Sequence, residues 1–201
     1  MSTSPAASTR ATALPREERR AALVRATLPL LREHGRQVST RQIAEAAGVA
    51  EGTIFRAFDS KDELVEEAIR AAFAPGDLDE RLRAVDPGLE LRDRLIAVVQ
   101  LIQDRFLGIF SLMARVGIVQ PPAEREDCPP GVAPSRSRSL ELVRELIEPD
   151  RDRFRVPPEE VVRLLRLLTF SGSHPEITDH HLLTPAQIVD VVLHGTIRGD
   201  D

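Results

Sequence analysis

Apolar positions recur at helical spacing through most of the chain, and no sustained period-two run of β-branched or aromatic residues occurs. A first stripe, Ala21, Val24, Leu28 and Leu31, predicts a helix from about Arg16 to His34, closed by Gly35. Pro29 lies inside it, where a lost hydrogen bond predicts a bend near Arg25–Leu28. The next helix has a complete start signal. Ser39 and Gln42 form a capping box, and Val38 and Ile43 bracket it as a hydrophobic staple. It runs to Ala47 and ends at Gly48. A short helix over Glu51–Ala57 follows. Ser60 and Glu63 form a second capping box, opening a helix from Lys61 to about Phe73. Pro75-Gly76 then breaks the pattern, and a domain boundary is expected there.

Beyond it the pattern predicts a short helix at Leu78–Val85 and a long one at Leu89–Val116. The long helix carries the stripe Leu91, Leu95, Val98, Ile102, Phe106, Ile109 and Met113. Residues 117–135 hold five prolines and read as a loop. Helices resume at Ser137–Ile147, Pro158–Ser171 and Pro185–Thr196. The last has a Thr184/Gln187 capping box, a Leu183/Ile188 staple and Pro185 at its first position. The expectation is an all-α chain with a disordered tail at 1–14, a helical head at 15–74 and a helical body at 75–201.

Composition narrows the class. The 201 residues are 42% hydrophobic and 29% charged, which excludes collagen-like, low-complexity and fully disordered chains. No apolar run approaches the ~18–20 residues of a membrane span, and MSTSPAASTR has no apolar core of a secretory signal. One cysteine, Cys128, excludes an internal disulfide and a C-x-x-C metal cluster. A cytoplasmic chain with no membrane partner is expected. The net charge of −5 speaks against a nucleic-acid binder until its distribution is read. Residues 1–58 hold nine Arg and five Glu, a net +4, so the remainder carries −9. That is a basic, anion-seeking head on an acidic body.

Residues 39–58, STRQIAEAAGVAEGTIFRAF, carry the specific information. Ala44, Gly48 and Ile54 have helix-turn-helix spacing. Ala44 lets two helices cross closely, Gly48 supplies a positive φ, and Val49 and Ile54 face inward. The outward face is then Glu51, Gly52, Thr53, Phe55 and Arg56, on the helix that enters the major groove in this motif. A plain α-hairpin in a bundle would share the turn but not the surroundings, a helix before it and a capped helix after it.

The arrangement resembles the TetR family of bacterial transcriptional regulators. The matching residues are Thr40-Arg41-Gln42-Ile43-Ala44, Ala47-Gly48-Val49, Gly52-Thr53-Ile54-Phe55-Arg56-Ala57-Phe58 and Ser60-Lys61-Asp62-Glu63-Leu64. The motifs cover about Arg16–Phe73; the rest matches by length and helix pattern. Two departures stand out. Phe55 occupies the place of a tyrosine whose hydroxyl reaches a phosphate, and Ala50 the place of a Ser or Thr cap.

The resemblance implies phosphate contacts from Thr40 and Lys61, both in a first helical turn. Arg41 and Arg56 suit base reading, because guanidinium pairs bidentately with guanine O6 and N7. Thr53 suits a thymine methyl or a phosphate, and Gly52 lets the backbone approach. Glu51 could accept from cytosine N4 or simply favour the helix start. Arg10, Arg16, Arg19 and Arg20 could add phosphate contacts or form a solvated face. The family implies a homodimer on a palindromic operator, a double-stranded DNA partner and release by a small-molecule effector. The last two helices would pair through Val161, Leu164, Leu165, Leu168, Ile188, Val191 and Val192, although these stripes could equally close the monomer's own core. Phe106, Phe110, Met113 and Phe170 would line an apolar ligand pocket, or serve as core. No cofactor, metal or catalytic residue is expected. The competing reading is a helical ligand-binding protein or hydrolase using His174, Asp179, His180 and His181, which would not need the basic head.

Overall fold

The computed structural model describes residues 15–74, 76–119 and 133–197, the side chains of 133–137 excepted. The expected tail at 1–14, with Arg10, lies outside the described residues. So does Cys128 with most of the expected 117–135 loop. The chain divides into two compact units, Met1–Ala68 and Ile69–Asp201.

In the first unit α1 spans Arg16–His34 and runs unbroken through Pro29. A 3-10 turn, Gly35–Gln37, leads to α2, Thr40–Ala47. A second 3-10 turn, Glu51–Thr53, passes into α3, Ile54–Ala57, and α4 begins at Lys61 and ends at Phe73. Leu23, Leu31, Ile43, Ile54, Phe58 and Leu64 are buried and make the core of this unit. The buried face of α1 is Leu23, Val24, Thr27 and Leu31, so the helix is turned from the expected stripe; Ala21 is exposed and Leu28 half-buried. Thr27 tolerates this position because its hydroxyl donates to the Leu23 carbonyl at 2.8 Å.

The Ser39/Gln42 capping box forms as expected. The second box is shifted. The Glu63 N–H donates to Ser60 Oγ at 3.1 Å, but the Glu63 carboxylate receives the Asp59 N–H at 2.7 Å, one residue upstream.

The second unit holds α5 (Leu78–Arg83), α6 (Leu91–Val116) and α7 (Ala133–Ile147). A 3-10 turn, Glu148–Arg153, precedes α8 (Pro158–Gly172) and α9 (Pro185–Thr196). α7 begins at Ala133, inside the stretch expected to be loop. α6 packs on α8 and α9, and α7 on α5 and α8. Leu82, Leu95, Val98, Ile147, Leu165 and Ile188 sit at the centre. Among the described residues there is no strand, only an antiparallel bridge between Phe154 and Ile197. Arg92 grips Asp190 bidentately at 2.7 and 2.9 Å and joins α6 to α9.

α6 follows its expected stripe only at first. Leu91, Leu95 and Val98 are buried, whereas Ile102, Phe106, Ile109 and Met113 are half-buried; Gln103, Leu112 and Val116 take the inner face instead. The Gln103 amide is accommodated because Nε2 donates to the Leu183 carbonyl at 2.7 Å. α6 also corrects the expectation that no segment could cross a membrane. It has an 18-residue window of mean hydropathy 1.6. That window has no more than two charged residues, so by length and composition alone it meets the test for a span, as the core helix of a soluble protein also can; its buried positions join the core of this unit.

Two features were invisible as patterns. Arg94 is only 4% exposed. Its Nη1 donates to the Pro87 and Leu89 carbonyls at 2.7 and 3.2 Å, and its Nη2 to the Asp150 carboxylate, which also pairs with Arg153. At the end of α8, the Leu183 N–H returns to the Gly172 carbonyl at 2.9 Å. A Cβ at Gly172 would stand 2.9 Å from Leu183 Cδ1, so glycine is what lets the returning chain close on the helix.

Candidate functional site

The turn between α2 and the following helix is built from backbone. Gly48 adopts φ 66° and ψ 32°, the left-handed conformation that glycine takes without steric cost. The Val49 N–H then donates to the Ala44 carbonyl at 2.9 Å, closing the turn. Ala50 is extended and gives no side-chain cap, and the helix after it starts as a 3-10 turn in which Thr53 N–H bonds the Ala50 carbonyl. Ile54 and Ala57 seat it in the core. Glu51, Gly52, Phe55 and Arg56 are left exposed and Thr53 half-buried, as the spacing predicts.

Phe55 is 55% exposed, a large apolar ring in contact with solvent. At Gly52 a Cβ would meet nothing within 4 Å, so the packing of this unit does not require a glycine there. Arg41 is exposed on the first turn of α2. Neither Arg41 nor Arg56 has a hydrogen-bond or ion-pair partner among the described residues.

The two helix starts are linked. The Thr40 hydroxyl donates to the Glu51 carboxylate. Lys61 Nζ lies close by in the chain path, donating to the Arg36 and Val38 carbonyls at 3.3 and 3.2 Å. It thereby pins the start of α4 against the segment that enters α2.

Of the arginines proposed for phosphate, Arg20 has another role. Its Nη1 donates to the Ala57 carbonyl at 2.5 Å, and its Nη2 reaches Glu63 at 3.0 Å and Glu67. Its guanidinium also lies 4.0 Å from the centre of the Phe58 ring. Arg20 therefore ties off the C-terminal end of α3, where carbonyls lack helical partners. Arg16 and Arg19 remain on the surface side of α1, exposed and half-buried.

The Asp59 N–H, and then Arg20, hold the Glu63 carboxyl below its ordinary range. A carboxyl depressed in the folded state adds stability that is complete above its unfolded value, near ~4.3, and lost as pH falls through the lower folded value. The first unit is expected to melt at falling temperature as pH drops below ~4.3, and Glu63→Gln to flatten that slope. Melting curves of both proteins between neutral and strongly acid pH check this.

In the second unit three of the expected pocket residues meet. The Phe170 ring stands edge-on to Phe106 and to Phe110 at 5.3 Å from each, and Phe106 and Phe110 stack at 6.0 Å. His174 joins at 4.6 Å from Phe110, and its buried Nδ1 has no hydrogen-bond partner. Met113 is half-buried on the same helix as Phe106 and Phe110. Asp179, His180 and His181 are exposed, and His181 Nδ1 lies 2.7 Å from the Asp179 carbonyl. Among the described residues no group of three His, Cys, Asp or Glu could hold a metal.

The expected pairing residues differ in burial. Val161, Leu165, Ile188 and Val192 are buried within this unit. Leu164, Leu168 and Val191 line an open groove of about 330 Å³ between α8 and α9, with Leu167, Ser171 and Gly195, and Val192 borders it too. Leu167 is 45% and Val191 61% exposed. Leu167, beside Leu164 and Leu168 in the groove, was not among the expected residues, because the doublets Leu164-Leu165 and Leu167-Leu168 make a stripe wider than one face.

The family profile described as bacterial regulatory proteins, tetR family, matches residues 23–68. Among solved structures, a transcriptional regulator from Rhodococcus sp. Rha1 is 21% identical; the alignment covers 90% of this chain and 99% of that one, with a TM-score of 0.55. A tetR-family transcriptional regulator from Streptomyces coelicolor is 24% identical, covering 89% and 78%, with a TM-score of 0.54. A structure named superantigen pfit aligns over 90% of this chain and 89% of that one at 18% identity, with a TM-score of 0.58. These likenesses concern the fold; activity rests on the side chains placed on it.

Proposed function

We propose that this chain, whose residues 23–68 match the profile of bacterial regulatory proteins, tetR family, is a repressor that binds a palindromic operator as a dimer through a helix-turn-helix head and leaves it when a small apolar effector binds. The observation that carries the reading is the surface of the second helix of the motif. It presents Arg56 without a partner among the described residues, beside an exposed Phe55 and an unobstructed Gly52. Arg56 and Arg41 read bases, Thr53 and Phe55 meet the groove wall, and Lys61 binds a phosphate with the N–H that its carbonyl contacts leave free. A single head of this size spans few base pairs, so a second copy supplies the second half-site. The exposed Leu167 and Val191, with the half-buried Leu164 and Leu168 beside them in the groove, supply the pairing surface. The effector is assigned to the Phe106, Phe110, Met113 and Phe170 region. Binding there favours one of two body states, which lowers operator affinity by linkage.

Selection of bound duplexes from a random pool, repeated across salt concentrations, tests this. A palindromic motif with a steep salt dependence is expected. Arg56→Ala should then lose about 1–3 kcal/mol of discrimination at one base position. Lys61→Ala should weaken all sequences alike and reduce the salt slope by about 1. Enrichment of no sequence, even at low salt, would overturn the reading.

A further inference from the structure

We infer that Glu51 selects a cytosine at one operator position and that Thr40 is the positioning residue that aims it, acting through Glu51 and not on a phosphate. The inference rests on the DNA-binding reading above. A threonine hydroxyl has one proton to donate. In this protein that proton goes to Glu51 Oε1. The hydroxyl then shows a phosphate only lone pairs, beside a carboxylate that repels it.

The same bond determines what Glu51 can read. Glu51 is exposed at the start of the second motif helix, in the row that includes Gly52, Phe55 and Arg56, and it is the acidic member of that row. A carboxylate only accepts hydrogen bonds. In the major groove guanine and thymine present acceptors at O6, N7 and O4, which oppose it. Adenine offers its N6 donor, but the N7 acceptor beside that donor repels the carboxylate's charge. Cytosine offers the N4 donor with no neighbouring acceptor. With Oε1 committed to Thr40, the free Oε2 matches the single donor of cytosine. The three other bases are disfavoured by desolvation and repulsion, so the residue works largely by exclusion.

The test uses the full-length protein and its selected operator, with each base pair of a half-site varied in turn. The parent is expected to prefer cytosine about tenfold at one position. Glu51→Ala and Glu51→Gln should remove that preference while leaving the others. Thr40→Val should reduce preference at the same position alone, add nothing in the Glu51→Ala background, and be rescued by Thr40→Ser. The proposal fails if Thr40→Val weakens every sequence equally with a shallower salt slope, or if its effect persists without Glu51. It fails also if Glu51→Ala keeps the cytosine preference. A parent that binds no duplex overturns the DNA-binding reading itself; a parent that binds with unchanged preferences in these variants overturns only this assignment. Both residues lie outside the buried core, so matching melting curves separate a reading defect from a folding one.

Discussion

Val191→Glu is expected to yield a folded monomer that binds a palindromic duplex about 10²–10⁴-fold more weakly than the parent, because the second head loses its effective concentration. Val191 is 61% exposed on α9 and borders the groove formed with Leu164, Leu167 and Leu168 of α8. Within one copy, a glutamate there stays in water, so stability should move by less than about 0.5 kcal/mol. Between two copies it would bring a charge from each into a dry apolar contact, and burying an unpaired carboxylate costs several kcal/mol. Sedimentation gives the mass, and binding to duplexes with one or two half-sites gives the loss. A variant that sediments as the parent does would remove the groove from the pairing surface. Binding to a single half-site should stay near the parental value, because the reading face is untouched.

The second large effect lies in the interior of the same unit. Arg94→Ala should cost about 3–5 kcal/mol, because it strips a buried partner from Asp150 and leaves the Pro87 and Leu89 carbonyls without their donor. At 2–4 °C per kcal/mol for a chain of this size, the melting temperature should fall by roughly 6–20 °C. Arg94→Lys should recover only part, since a single ammonium cannot fork to two carbonyls and a carboxylate. The double change Arg94→Met with Asp150→Leu should recover more, because apolar replacement of a buried pair removes its desolvation cost. Calorimetry of the four proteins decides; a drop under about 2 °C for Arg94→Ala, less than a single kcal/mol moves the midpoint, would mean that the pair is not a structural tie.

What the sequence made legible is local. The Ser39/Gln42 and Thr184/Gln187 boxes form because both partners lie within one helical turn. Gly48 takes a positive φ because the turn geometry demands it. The reading face follows from the same period, with Ile54 inside and Glu51, Phe55 and Arg56 outside. What remained hidden depends on partners far along the chain. Arg20 meets Ala57, Glu63 and Glu67 across 37 to 47 residues, so its structural role within the basic cluster on α1 was not visible in the sequence. Gln103 is buried on account of a carbonyl 80 residues away. The apolar stripe on α8 is divided, because a period identifies a face and not what covers it. Val161 and Leu165 are buried, whereas Leu164 and Leu168 are half-buried along the groove.

The helix proposed to read DNA is short. It consists of the three-residue turn Glu51–Thr53 and the four residues Ile54–Ala57. Isolated helices below ~12–15 residues are marginal in water. This one is held by Ile54, Ala57 and Phe58 in the core and by Arg20 at its last carbonyl. The amides of its last turn, bonded within the helix, are expected to exchange mainly when the unit opens, whereas those of the exposed Glu51 and Gly52 exchange freely. A variant at Arg20, which faces away from the reading row, would register in a binding assay as a weaker operator complex while every reading side chain remained in place.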